Sequence, residues 1–255
     1  MYCNGVGEIL NSVNSNVRVI RLGGSVLYNK DGNVNNDVLS RFVTIVKNST
    51  SADADQRYII VVGGGNLSRE TVKKFDSLNL SDIYKHTIGM LSTHINAHVL
   101  QSLLGISPDP LPMTTDAAKM YLKVFSQSSD NILILGGFAV GSSTDLTACH
   151  VADYVGAKEI LKISTIPYVY SANPDTHPNA QPYTELTWDE YLKVVGLSKE
   201  ELQTMQQPPN LSIPVNISAV MHAMKRGFIF KLSGVDRVSR ASTIDELFEV
   251  GTTIH

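Results

Sequence analysis

Five short apolar runs limit what this chain can fold into. They cover residues 17–22, 58–62, 132–135, 160–163 and 228–232, each dense in Ile, Val, Leu or Phe. Their hydrophobicity is continuous rather than alternating, the pattern of strands buried on both faces and therefore of a parallel sheet. Helical spacing separates them. Val38, Phe42, Ile45 and Val46 share one face, as do Ile88, Leu91, Ile95 and Val99; Trp188, Tyr191, Leu192 and Val195 do the same, and so do Ile217, Val220, Met221 and Met224. Thr187 with Glu190, and Ser198 with Glu201, have capping-box spacing and predict helix starts. The alternation predicts an α/β three-layer sandwich, a mainly parallel central sheet with helices on both faces. Residues 1–16, rich in Asn, Ser and Gly, read as a flexible lead-in, and 17–255 as a single domain. Residues 48–55 and 203–214 read as loops.

Composition narrows the function classes. With 43% hydrophobic and 18% charged residues, a sizeable core is available. A formal net charge of -3 argues against nucleic acid as a partner but leaves small anions open, since local loops can hold those. Cys3 and Cys149 are far apart in sequence and have no metal-ligand spacing, so neither a disulfide framework nor a metal site is expected. No stretch approaches the roughly 18 to 20 apolar residues of a membrane span, and no secretory leader pattern is visible, so the expected location is the cytoplasm.

Three of the apolar runs end in glycine. Gly23, Gly24 and Ser25 follow the first, Gly63, Gly64 and Gly65 the second, and Gly136 and Gly137 the third, with Gly141 to Asp145 just behind. Ligands of open α/β sheets bind at the carboxyl ends of strands. Glycine there lets backbone N–H groups approach an anion, and a following helix adds partial positive charge. Three such clusters predict one shared phosphate site. Arg69, four residues after Gly65, is placed to meet a phosphate; Arg21 has two readings, a phosphate contact or a pair with Asp145. Neither Walker A spacing nor a G-x-G-x-x-G is present.

The segments Arg21 to Ser25, Gly63 to Arg69, Ile88 to Asn96 and Thr144 to Ala148 resemble the amino acid kinase superfamily, its uridylate kinase branch above all. The resemblance implies ATP-dependent phosphoryl transfer to a nucleoside monophosphate, UMP to UDP, with ATP and Mg²⁺ as cofactors and a homo-oligomeric assembly. It implies an acceptor-binding first half and a nucleotide-binding second half. It places Gly64, Gly65 and Arg69 on the acceptor phosphate, with His86, Gly136, Gly137 and Thr144 near it. It places Gly23, Gly24 and Arg21 on the transferred group and gives Asp145 the task of organising the positive groups. Thr165, Tyr170 and Asn173 fall in the nucleotide site. The chain also departs from the family pattern. His86 stands where an Asp that binds ribose is usual, and Pro167, Tyr168 and Asn173 replace an acid, a glycine and a second acid in the ATP-site segment. A lysine found near the nucleotide in several branches would fall on Val220 or Met221. These departures leave a second expectation open, a catalytically silent relative that binds a nucleotide or phosphate in a regulatory role. His94 and His98 share a helix face without a third ligand and read as structural or solvent-facing.

Overall fold

The computed structural model describes residues 16–29, 31–204 and 213–255, so the expected lead-in and most of the 203–214 loop lie outside the described residues. The first half runs β1 (Val17–Leu22), α1 (Asn36–Ala52), β2 (Arg57–Val62), α2 (Gly65–Lys74), α3 (Asp82–Leu104), α4 (Thr115–Gln127), β3 (Ile132–Leu135) and α5 (Thr144–Val155). The second runs β4 (Glu159–Ser164), β5 (Val169–Tyr170), β6 (Pro182–Tyr183), β7 (Glu185–Leu186), α6 (Trp188–Val194), α7 (Lys199–Thr204), α8 (Ile217–Arg226), β8 (Ile229–Gly234), α9 (Val235–Val238), α10 (Ile244–Phe248) and β9 (Thr252–Ile254).

Seven strands form one sheet in the order β3-β2-β1-β4-β8-β9-β7, and β5 and β6 form a separate antiparallel pair. Every pairing in the main sheet is parallel except β8 with β9. Successive strand side chains point to opposite faces, which builds two cores. Ile20, Ile60 and Leu161 pack under α1, α3 and α10 with Phe42, Leu100 and Leu247. Val19, Ile59 and Ile160 pack under α4, α5, α6 and α8 with Phe125, Cys149, Tyr191 and Val220. The three-layer expectation therefore holds, and the five apolar runs are the strands β1, β2, β3, β4 and β8. Both capping boxes form: Thr187 and Glu190 bond reciprocally, as do Ser198 and Glu201.

One local reading is corrected and one open pattern is resolved. Residues 48–52 continue α1, because the hydroxyls of Ser49, Thr50 and Ser51 donate back to the carbonyls of Ile45, Val46 and Lys47 and satisfy themselves within the helix. The apolar face of α3 is not the core face. Leu91, Ile95 and Val99 are 43%, 54% and 46% exposed, while Thr93, His94, Asn96 and Gln101 are buried. The reason is at the strand ends, where Thr93, His94 and Asn96 bond the glycine loops.

Candidate active site

β3, β2 and β1 are neighbours, so their three glycine loops emerge side by side at one edge. The first two loops touch backbone to backbone. A Cβ on Gly24 would lie 2.2 Å from the Gly65 nitrogen, and one on Gly65 2.1 Å from the Gly24 carbonyl carbon. Gly65 also has φ +57°, a left-handed conformation that glycine adopts without strain. α2 opens at Gly65 with no side-chain cap, which leaves its first-turn N–H groups unclaimed by a capping residue.

α3 holds these loops from behind. Asn96 Nδ2 donates to the carbonyls of Gly63 and Gly64 at 2.8 and 3.1 Å. Thr93 Oγ1 accepts from the Gly137 N–H at 2.7 Å, and His94 Nε2 lies 2.7 Å from the Gly137 carbonyl. Burial lowers the His94 pKa, against a partial lift from that carbonyl, so the ring works as a neutral donor in a structural role. The expectation for His94 is met. Gly136 packs against Thr93 and His94 and lines neither cavity described below.

The charged centre is Asp145, 4% exposed in the first turn of α5. Arg21 Nε lies 2.7 Å from its Oδ1, an ion pair whose N–H is not aligned on the oxygen, and Arg21 Nη2 donates to Thr144 Oγ1 at 2.9 Å. Lys162 Nζ lies 2.6 Å from Oδ2, which also accepts the Asn216 N–H at 3.0 Å. Burial alone would raise the carboxyl pKa. Lys162 and Arg21, with the hydrogen bonds from Lys162 and Asn216, outweigh it and hold Asp145 at about 2. Arg21 thus pairs with Asp145, one of its two expected roles, and it lines the larger cavity as well.

Two cavities open around this centre. The larger, about 800 Å³, is bordered by Arg21, Gly23, Gly24, Asp145, Thr165, Tyr170 and Asn173. The smaller, about 710 Å³, is bordered by Gly64, His86, Gly137 and Thr144. Gly65, Arg69, Ser143 and Asn216 border both. Arg69 lies one turn inside α2, and its Nη2 is 3.3 Å from Ser25 Oγ on the first loop. Apart from Gly136, every residue expected at the site borders one of these two spaces.

Lys162 escaped the sequence reading, as did Asn96, Ser25 and Asn216. A lysine amid the apolar residues of 160–163 was the available signal, since a buried lysine needs a partner. Of the two positions considered for a missing lysine, Val220 is buried in the core and Met221 borders the smaller cavity.

The profile of the Amino acid kinase family matches residues 16–231. The chain belongs to that family. Among its relatives, a uridylate kinase of Archaeoglobus fulgidus is 27% identical over 186 residues, 73% of this chain and 79% of that protein. A uridylate kinase of Haloquadratum walsbyi is 28% identical over 224 residues, 86% of this chain and 84% of that protein. The crystal structure of uridylate kinase from Archaeoglobus fulgidus superposes with a TM-score of 0.68 at 25% identity, covering 93% of this chain and all of that one. UMP kinase from Bacillus anthracis, at 18% identity and a TM-score of 0.69 over 94% of this chain and 96% of that one, shares the fold.

Proposed function

We propose that this amino acid kinase family member transfers the terminal phosphoryl group of ATP to UMP, giving ADP and UDP. The observation that carries the reading is the pair of cavities that share Gly65, Arg69, Ser143 and Asn216 as a common wall beside the Arg21–Asp145–Lys162 cluster. Phosphoryl transfer needs two phosphate-bearing molecules held in line and a positive environment for the group that moves, and little covalent chemistry from the protein. The larger cavity would take ATP against Thr165, Tyr170 and Asn173. The smaller would take the acceptor, its phosphate on Gly64, Gly65 and Arg69, with His86, Gly137 and Thr144 around it. Gly23, Gly24 and Arg21 would face the transferred group. The uridylate kinase relatives support UMP as the acceptor.

Among the described residues no group of three or more His, Cys, Asp or Glu could hold a metal ion. The fit is therefore to Mg²⁺ carried on the phosphate oxygens of the nucleotide, where it would neutralise charge on the triphosphate. No helix among the described residues is long and apolar enough to cross a membrane. We read the protein as cytoplasmic and as a homo-oligomer, with the exposed Leu91–Ile95–Val99 stripe of α3 as the surface a second copy covers.

One observation favours a silent relative. A Cβ on Gly234 would lie 2.7 Å from the Pro167 side chain, so the altered ATP-site segment is packed tightly onto the end of β8. A coupled assay of ADP release with Mg·ATP and UMP separates the two readings. Turnover is expected; thermal stabilisation by ATP or UMP with no turnover would favour the silent relative.

A further inference from the structure

The smaller cavity has more basic groups than one phosphate uses. Arg69, Lys85 and His86 border it, and among the described residues that line it there is no Asp or Glu. None of the three makes an ion pair with a described residue. Arg69 meets the Ser25 hydroxyl at 3.3 Å. Lys85 is half-buried and His86 exposed, and no side-chain hydrogen bond to a described residue holds either. Asp82, one turn earlier on α3, pairs with neither. Arg21 and Lys162, by contrast, end on a carboxylate. Basic side chains gathered at a cleft that holds no carboxylate set up a field that draws anions.

The packing of α3 fixes where Lys85 and His86 stand. A Cβ on Gly64 would lie 3.1 Å from the Gly89 carbonyl oxygen, and one on Gly89 3.4 Å from Ser68 Oγ, so Gly89 lies against the second glycine loop and the first turn of α2. Lys85 and His86 precede Gly89 by one helical turn, about 5 Å along the axis. With a phosphate on Gly64, Gly65 and Arg69, the sugar of the same molecule reaches that distance. Ile217 and Met221 of α8 give the cavity apolar surface suited to a base. Lys85 brings a charge and three N–H donors and His86 a ring N–H, and a neutral sugar leaves that charge unmatched.

We propose that Lys85 and His86 form a second anion subsite in the smaller cavity, so that its preferred occupant is a nucleoside monophosphate carrying a further phosphate on the sugar. The proposal rests on the reading of this cavity as the acceptor site, and it narrows the acceptor class beyond UMP. One phosphate sits on Gly64, Gly65 and Arg69, the second on Lys85 and His86, and the base lies toward α8. The ammonium is a compact charge on a flexible stem, so the subsite follows the second phosphate over more than one position on the sugar. Charge-assisted hydrogen bonds supply the preference.

The test titrates the full chain calorimetrically with UMP and with uridine 3′,5′-bisphosphate, and repeats both in Lys85→Gln and in the double variant Lys85→Gln, His86→Gln, each checked by circular dichroism. The bisphosphate is expected to bind the wild type about tenfold more tightly than UMP and to be displaced by UMP. That advantage is expected to shrink to about threefold in Lys85→Gln and to vanish in the double variant. Equal binding of the two ligands by the wild type overturns the proposal, as does an advantage that survives in the double variant or a bisphosphate that ATP displaces and UMP does not. If Lys85→Gln does not fold, His86→Gln alone decides, and an undiminished advantage there overturns the proposal. ADP release with Mg·ATP and UMP is measured on the same preparation. An active wild type that binds both ligands equally leaves the phosphoryl-transfer reading intact; a wild type that neither binds nor turns over UMP removes that reading and the proposal with it.

Discussion

Tyr28 donates its hydroxyl to Asn96 Oδ1 at 2.6 Å, and this bond fixes which way the Asn96 amide faces. With the oxygen committed, the Nδ2 group is left to donate to the carbonyls of Gly63 and Gly64. One phenol thus orients one amide, and that amide ties the second glycine loop to α3. Asn96→Leu keeps the volume and removes both donors. It is expected to cost about 1–3 kcal/mol, read from urea unfolding, because two loop carbonyls lose their partner. KM for the acceptor is expected to rise about tenfold as the loop shifts.

The contact between the first two loops predicts a contrast between two glycines. At Gly24 a Cβ meets backbone at 2.2 and 2.5 Å, atoms that cannot swing aside, whereas at Gly137 the nearest atoms are 3.6 Å away on Met90 and Thr93. Gly24→Ala is expected to lower the melting temperature by several degrees and to abolish measurable turnover, the overpacking itself costing about 1–3 kcal/mol. Gly137→Ala is expected to stay within about 1 kcal/mol of wild type in the same melt. Equal effects would mean that the loops are not locked against each other.

Asp145 gives the protein an acid-sensitive component of stability. Its folded pKa, about 2, is depressed below the ordinary carboxylate value of 3.8, so the folded state favours the ionised form. That stability is present above about pH 4 and is lost as pH falls toward 2, on the order of 2 kcal/mol in all. Urea unfolding at pH 5, 3 and 2 measures it. Asp145→Asn is expected to show a flatter profile over that window and, with its two cations unpaired, kcat at least about 100-fold lower.

The exposed stripe of α3 predicts an assembly. Ile95, 54% exposed between Leu91 and Val99, stands at its centre. Light scattering is expected to give a multiple of the 27.8 kDa chain mass, and Ile95→Glu to shift it toward the monomer with the circular dichroism spectrum unchanged. A wild type that runs as a monomer at all concentrations would end this reading.

What the residues revealed beforehand follows from how local each signal is. The strands were legible because runs such as YIIVV at 58–62 are apolar throughout, and burial on both faces demands that. Arg69 was legible because it stands one turn after a glycine cluster at a strand end, and Thr144 and Asp145 were named through the family resemblance. Lys162 was not, since its partner Asp145 is 17 residues earlier and on another element, so the pairing exists only once the sheet has formed. α3 was ambiguous for a related reason. Its apolar stripe fits an assembly surface as well as a core face, and the choice falls to Thr93, His94 and Asn96, which turn inward because carbonyl and N–H groups of the glycine loops need partners there. The two-residue strands β5, β6 and β7 carry too few side chains to show any period.

The wall of Gly65, Arg69, Ser143 and Asn216 is common to both cavities, so guests on its two sides border the same four residues. Two nucleosides joined through a chain of phosphates would lay one base on each side and thread the linker past Arg69. Such a tethered molecule spends its loss of free motion once instead of twice, and it should outbind either nucleotide alone.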